Sequence, residues 1–282
     1  LPEVGPILAK DELNDYSPDE YYIPQMEQLA IEALESFTIL GPGGRQISRP
    51  DLVQYISPAI SHGAMNTVVR TRFSTKELDR KIAETLAPYQ ELSFPSWWIL
   101  GPNSTNNKET EARLSKLGFS LEHEAFCLML PVNEPMKLKI SSRVSTERVT
   151  EKNLDDFLKA ARDGQEVPAA YRKYFEFIME KHGSKLEVFL SRVDGEPAGT
   201  GLLQHLNGAA NFVSGFVREK FRGLGAYQAL VQIRLDSLRQ QKIAHAVVLS
   251  KAKTSAPILM QNGFIKICEM RTLERLTLQK NF

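Results

Sequence analysis

The sequence predicts an α/β protein of two tandem units, each a central, mostly antiparallel mixed sheet flanked by helices. Three observations predict it. The chain has 282 residues, more than the roughly 100–200 of one ordinary domain. Strand-like runs alternate with helical stretches through its C-terminal half, punctuated by glycine, asparagine and proline. One pattern also occurs twice. Trp97-Trp98-Ile99-Leu100, then Leu114-Ser-Lys-Leu-Gly118-Phe119, then the apolar run 124–130 is matched by Ala246-Val-Val-Leu249, Leu259-Met-Gln-Asn-Gly263-Phe264 and 265–276. Each reads as strand, helix, glycine cap, strand. The polar, proline-bearing Asn133-Glu-Pro-Met136 is the natural joint. The chain then divides into a loose segment 1–24, a first unit 25–132, a linker 133–139 and a second unit 140–282.

Taken in order, residues 1–24 carry prolines and acids and read as a loosely wrapped segment. Gly41-Pro-Gly-Gly44 reads as an ordinary loop, because Pro42 removes a donor. In the second unit, helical stretches at 152–162 and 168–181 precede a strand at 186–193. The turn Asp194-Gly-Glu-Pro197 leads to its hairpin partner at 198–206. Asn207-Gly208 marks a second tight turn before a strand at 210–217. A loop, a helix at about 226–241, a strand at 245–250, a short helix at 255–261 and a last strand at 264–276 complete the unit.

The most specific stretch is Val217-Arg-Glu-Lys-Phe-Arg-Gly-Leu-Gly-Ala-Tyr227, between a strand and a helix. Gly223 and Gly225 leave the backbone bare, so its N–H groups can crowd around a ligand at the positive end of the helix. Arg218, Lys220 and Arg222 add charge, and the combination suits a pyrophosphate. A nucleotide triphosphate loop would need a lysine–hydroxyl pair after the second glycine, and a dinucleotide fingerprint a third glycine; the chain has neither. The stretch does resemble the coenzyme A loop of the GNAT superfamily of N-acetyltransferases, Gln/Arg-x-x-Gly-x-Gly/Ala. Arg222 and Gly225 fill its first and fourth places, and Tyr227 departs from the small residue expected last.

The order of elements over the second unit is similar to that superfamily's fold, and the repeat is similar to tandem acetyltransferases, a group that includes mycothiol synthases. The first unit lacks the phosphate apparatus: where a loop might fall, Val68-Val-Arg-Thr-Arg-Phe-Ser-Thr-Lys76 has no glycine. The resemblance implies acetyl-CoA as co-substrate, one per chain. It implies that Gly215, Phe216 and Val217 pair with the coenzyme's arm, and that Arg218, Lys220, Phe221, Arg222, Gly223, Leu224, Gly225, Ala226 and Tyr227 surround its phosphates. The acceptor is an amine, of a small molecule or a protein.

Acetyl transfer needs proximity, a donor for the carbonyl oxygen and a route for protons. Many members place a glutamate base where this chain has Asn211, and a tyrosine acid where it has Leu259. The proton route then falls to other groups. Ser255 is the hydroxyl nearest the expected thiolate, which it would also help bind, or else an N-cap; His205 and Glu187 are the base candidates. Asn211, Tyr171 and Tyr174 would orient substrate, the tyrosines from the helix roofing the acceptor site. Two readings stay open: an N-acetyltransferase working by direct attack in a ternary complex, and an acetyl-CoA-binding sensor or interaction module.

Composition bounds the rest. The net charge of +1 gives no field that would draw nucleic acid or an anionic membrane. No apolar run approaches the ~20 residues of a membrane span. The two cysteines, Cys127 and Cys268, read as core residues of a cytoplasmic, reducing compartment, and the five histidines show no metal-ligand spacing.

Overall fold

The computed structural model describes Glu32 and residues 40–276, except 135, 137, 184 and 207. The segment 1–24 and Asn207 therefore lie outside the described residues, whereas Gly208 has the positive φ (81°) that its turn requires.

The first half supplies β1 (Arg45–Arg49), β2 (Leu52–Ile56), β3 (Thr67–Val69), α1 (Leu78–Leu92), β4 (Ser96–Leu100), α2 (Asn107–Lys116) and β5 (Ser120–Pro131). The second supplies β6 (Val144–Arg148), α3 (Leu154–Ala161), α4 (Ala169–His182), β7 (Leu186–Val193), β8 (Glu196–His205), β9 (Ala209–Val217), α5 (Ala226–Gln240), β10 (His245–Lys251), α6 (Ser255–Gln261) and β11 (Ile265–Arg275).

The expectation of a separate sheet in each unit is corrected. All eleven described strands join one sheet, ordered β1-β2-β3-β4-β11-β5-β10-β9-β8-β7-β6. It is antiparallel except at β3–β4 and β9–β10. The two Gly-Phe turns explain this. Gly118 (φ 86°) and Gly263 (φ 96°) turn the chain into strands of 12 and 11 residues. These strands lie side by side, and each covers an edge that the other half would otherwise leave unpaired. β11 thus pairs with β4 and β5, and β5 with β11 and β10. The joint at 133–139 divides the sequence but not the sheet.

Strand alternation sets what covers each face. Helices α1 and α2 close one face over Leu52, Val68, Trp98 and Leu273, and α5 and α6 close the same face over Leu128, Leu203, Phe212 and Ala246. On the opposite face α3 and α4 pack Phe157, Leu158 and Ile178 against Val188, Leu190 and Leu202. Helix α4 also reaches the first half, where the Tyr174 hydroxyl donates to Met65 Sδ (3.3 Å). No helix of the described residues is long and apolar enough to cross a membrane.

Candidate functional site

Strands β9 and β10 run parallel only from Ala209 opposite His245 to Asn211 opposite Val247. Beyond that they part: β9 continues along β8, and β10 along β5. Where they part, β9 carries one extra residue against β8 between Val213 and Phe216. Ser214 takes a left-handed φ of 50° in this bulge, which re-aims the local backbone groups. A cavity of about 1220 Å³ fills the gap and runs on over β5, β11 and β4. At that size it exceeds the ~300–1000 Å³ usual for one small ligand.

The loop after β9 opens on this cavity through Arg222, Gly223, Gly225, Ala226 and Tyr227. Gly223 (φ 78°) and Gly225 (φ 87°) both sit in the left-handed region, and α5 starts with no acidic residue in its first turn. The N–H groups of Gly223 and of residues 225–228 have no hydrogen-bond partner among the described residues. A Cβ added at Gly223 would meet nothing within 4 Å, whereas one at Gly225 would stand 3.1 Å from the Lys139 carbonyl oxygen. Unpaired N–H groups at an acid-free helix start form an anion cradle. A smaller cavity of about 540 Å³, lined by Lys139, Ser141 and Arg143, touches the far side of the same glycines.

The predicted residues separate into those that meet at the cavity and those that do not. Gly215, Phe216, Val217, Phe221, Arg222, Gly223, Gly225, Ala226, Tyr227, Asn211, Ser255 and Tyr171 all line it. Asn211 is 3% exposed, and its Oδ1 has no hydrogen-bond partner among the described residues. The Ser255 hydroxyl lies 2.6 Å from that of Ser250 and so pairs with a neighbouring strand instead of capping α6.

Other placements correct the sequence reading. Arg218 turns its guanidinium to the Pro197 carbonyl (2.7 Å) and Lys220 its ammonium to Glu196 (2.6 Å), so neither lines the cavity. Leu224 faces the smaller cavity. Tyr174 is core, 3% exposed and bonded to Met65. His205 and Glu187 are not at the cavity at all. Alternation puts them in line with Leu203 and Phe189, on the α5 face, where His205 Nε2 lies 2.6 Å from Glu187 Oε1. Glu187 also accepts from Ser237 (2.8 Å) and Gln241 (2.7 Å) and faces Arg148 (3.3 Å). Burial pushes its carboxyl up, but these donors and the Arg148 charge prevail and hold it at about 2. It anchors α5 and has no free proton site for a substrate.

Sequence reasoning missed two groups. Arg234, fully buried on α5, stacks over Phe212 (4.2 Å) and donates to the Leu230 carbonyl (2.8 Å), beneath the bulge. Burial draws its guanidinium down to about 10. Gly201 makes room for it, since an added Cβ would stand 3.3 Å from its guanidinium, and Gly215 makes room for Tyr227 (3.0 Å). The second group, His62, Trp97, Glu122 and His123, brings the first half into the cavity wall. No local pattern marks it. Among the described residues, no cluster of His, Cys, Asp or Glu could hold a metal ion.

No family model matches the chain, and no curated protein matches it in sequence. Solved structures do share its fold. A GCN5-related N-acetyltransferase from Kribbella flavida is 13% identical, with a TM-score of 0.65 over 88% of this chain and 95% of that one. A functionally unknown conserved protein from Staphylococcus epidermidis is 14% identical, with a TM-score of 0.63 over 87% of this chain and 100% of that one. A tandem GNAT protein from the clavulanic acid biosynthesis pathway is 11% identical, with a TM-score of 0.51 over 93% and 97%. At these identities the likeness is one of fold: a mixed α/β architecture with a central sheet flanked by helices, as in GCN5-related N-acetyltransferases.

Proposed function

We propose that the protein is an acetyl-CoA-dependent N-acetyltransferase whose coenzyme site lies in its C-terminal half. One observation carries this reading. Five backbone N–H groups without a partner among the described residues stand at an acid-free helix start, and they open on the gap between two parting parallel strands. The cradle suits a pyrophosphate, with Arg222 beside it. The gap suits an extended arm, which the edge of β9 from Gly215 to Val217 can pair. Bound there, acetyl-CoA supplies an activated acetyl thioester, and the chain's own contribution is to hold an amine against it.

The protein's groups then serve a direct transfer within a ternary complex. The bulge at Ser214 and Gly215 lines the gap, and its backbone N–H groups are the candidates for the donor that a carbonyl oxygen needs as negative charge develops. Asn211, with its unpaired Oδ1, can hold the acceptor. The Ser250–Ser255 hydroxyl pair can pass a proton to the leaving sulfur. Neither Cys127 nor Cys268 lines the cavity, so no acetyl-cysteine is formed. The two halves act as one unit, with the first walling the acceptor space.

Calorimetry with CoA and a screen of amines with acetyl-CoA and thiol detection test this reading. One CoA per chain and amine-dependent thiol release are expected. Binding without turnover of any amine would turn the reading into the sensor alternative. An absence of CoA binding would refute both.

A further inference from the structure

We propose that the first half of the chain supplies the proton acceptor of the reaction: His123 takes the proton of the acceptor's ammonium group. The inference rests on the acetyl-CoA reading above and names the missing base of that site. The second half offers none. Asn211 cannot accept a proton, Leu259 is buried in the core, and Glu187 with His205 lies on the other face of the sheet.

Among the described residues on the cavity wall, an imidazole or a carboxylate comes from three: His62, Glu122 and His123. His62 Nδ1 is engaged, accepting the Ala64 N–H (3.0 Å). Glu122 lies 3.5 Å from the Lys251 ammonium. His123 lines the cavity with its side chain 14% exposed; its Nδ1 is buried beside Glu122 Oε1 (3.7 Å), so Nε2 is the nitrogen that faces the open space. A carboxylate on the Nδ1 side favours the tautomer that carries its proton there, which leaves Nε2 free to accept one.

The ring is also held in place. It packs edge-on against Trp97 (centroids 5.6 Å apart), whose indole N–H donates to Glu274 (3.0 Å). Gly63 makes room for that indole, since an added Cβ would stand 2.2 Å from it. His62 closes the other side of the tryptophan (5.7 Å). Lys251 pairs with Ala125 across β10 and β5, so His123 stands two residues, about 7 Å, beyond the end of β10. Ser214 lies three residues past Asn211 as Ser250 lies three past Val247, which puts the bulge level with that same end. The bulge and His123 thus line one cavity, on the same side of the sheet.

The charged groups around the ring are Glu122 on its own strand, Lys251 on β10 and Glu274 on β11. Burial, then Lys251, pushes the imidazole below its ordinary range, while Glu122 and Glu274 oppose them. It is therefore neutral at pH 7 and able to accept a proton. In the step, an ammonium N–H bond breaks and its proton passes to Nε2. The freed lone pair forms the C–N bond to the thioester carbonyl carbon, and the C–S bond breaks. The second proton lost by that nitrogen goes to the sulfur, and the imidazolium releases its own to solvent.

The test uses the full chain, acetyl-CoA and three primary amines, phenethylamine, tryptamine and hexylamine, with His123→Gln and His123→Ala. At pH 7 kcat/KM is expected to fall about 100-fold in both variants, while CoA affinity stays within about twofold. The deficit should shrink as pH approaches the amine's own pKa near ~10, where free amine no longer needs a base. A loss that is equal at all pH values, or a wild-type profile in either variant, overturns the assignment. Histidine NMR adds a readout that needs no turnover: with CoA bound, the His123 ring signal, identified by its absence in His123→Gln, should shift on adding amine. If CoA binds and no amine moves that signal, His123 is not the base; if CoA does not bind, the coenzyme reading itself has failed.

Discussion

Strand β3, helix α1 and strand β4 follow the same course as β9, α5 and β10. In each, a strand enters a loop, a 15-residue helix follows, and the chain returns in a strand parallel to the first. The mouths of the two loops differ. After β9 stand two left-handed glycines, an acid-free helix start and N–H groups without partners. After β3 there is no glycine from 68 to 76, and Glu77 and Asp79 stand at the start of α1. That mouth is also closed. Arg72 N–H donates to the Asp51 carbonyl (2.8 Å), Thr105 N–H to that of Thr71 (2.8 Å), and the Asn106 side chain to that of Phe73 (2.7 Å). A shared backbone course is therefore not a shared site. Occupancy of the mouth and the sign of the first-turn charge decide whether a helix start can take an anion.

The comparison can be broken most forcefully at Gly223. A side chain there has space, so Gly223→Glu adds a left-handed strain of about 1–2 kcal/mol and a carboxylate among the unpaired N–H groups. Affinity for CoA should fall about 100-fold, whereas Gly223→Ala, carrying the strain alone, should lower stability by about 1–2 kcal/mol and leave affinity within a few-fold. Calorimetry reads both. Unchanged affinity in the glutamate variant would move the phosphate site elsewhere. Gly225 is the poorer probe, because its Cβ would press on the backbone of residues 139–141 before it met any ligand.

Much of the second unit was legible because turns punctuate it. The bounds 186–193 and 255–261 match β7 and α6, each set off by glycine- or proline-bearing turns or caps. The strands before residue 70 were not legible, being only three to five residues long and without a hairpin signal. Alternation tells which residues share a face, not which strand lies alongside, so the crossing of β5 and β11 was invisible. The same limit put the two base candidates on the wrong face. Glu187 and His205 were rightly read as neighbours, but nothing local says which face carries the cavity. His123 escaped notice because it depends on Trp97, and Trp97 on Glu274, 177 residues away in sequence.

The far ends of the two helices sharpen the contrast. Helix α5 is tied to the sheet by a charged group, Glu187, through Ser237 and Gln241. Helix α1 is tied by neutral ones, the Tyr89 hydroxyl to the Tyr55 carbonyl (2.8 Å) and Gln54 to the Thr85 carbonyl (2.7 Å). Glu187→Gln should cost about 1–3 kcal/mol at pH 7, with CoA affinity unchanged. The Glu187 carboxyl sits lower in the folded chain, at about 2, than its ordinary 4.5. Its stabilisation is therefore complete above that ordinary value and is lost as pH falls from about 4.5 toward 2. Urea denaturation at pH 7 and near pH 3 should show the gap between wild type and variant closing. Tyr89→Phe should cost about 1 kcal/mol with no such pH dependence. An equal acid sensitivity of both gaps would mean that Glu187 is not the anchor described.

The smallest effect is expected where the comparison is most tempting to reverse. Glu77→Gln with Asp79→Asn removes the acids from the start of α1, leaving that helix as acid-free as α5. If charge alone separated the two mouths, a second CoA should then bind. The closure of the loop argues otherwise. Phe73 is 3% exposed, its carbonyl is held by Asn106, and the carbonyl of Thr71 is held by Thr105, so the segment after β4 occupies the space a pyrophosphate would need. Both acids are exposed, and their ion pairs with Arg80 and Arg113 belong to a class that contributes little. The double variant should therefore fold normally and bind one CoA per chain by calorimetry, with wild-type affinity. A stoichiometry near two would show that the glycines of the second loop are dispensable and that first-turn charge by itself makes the site.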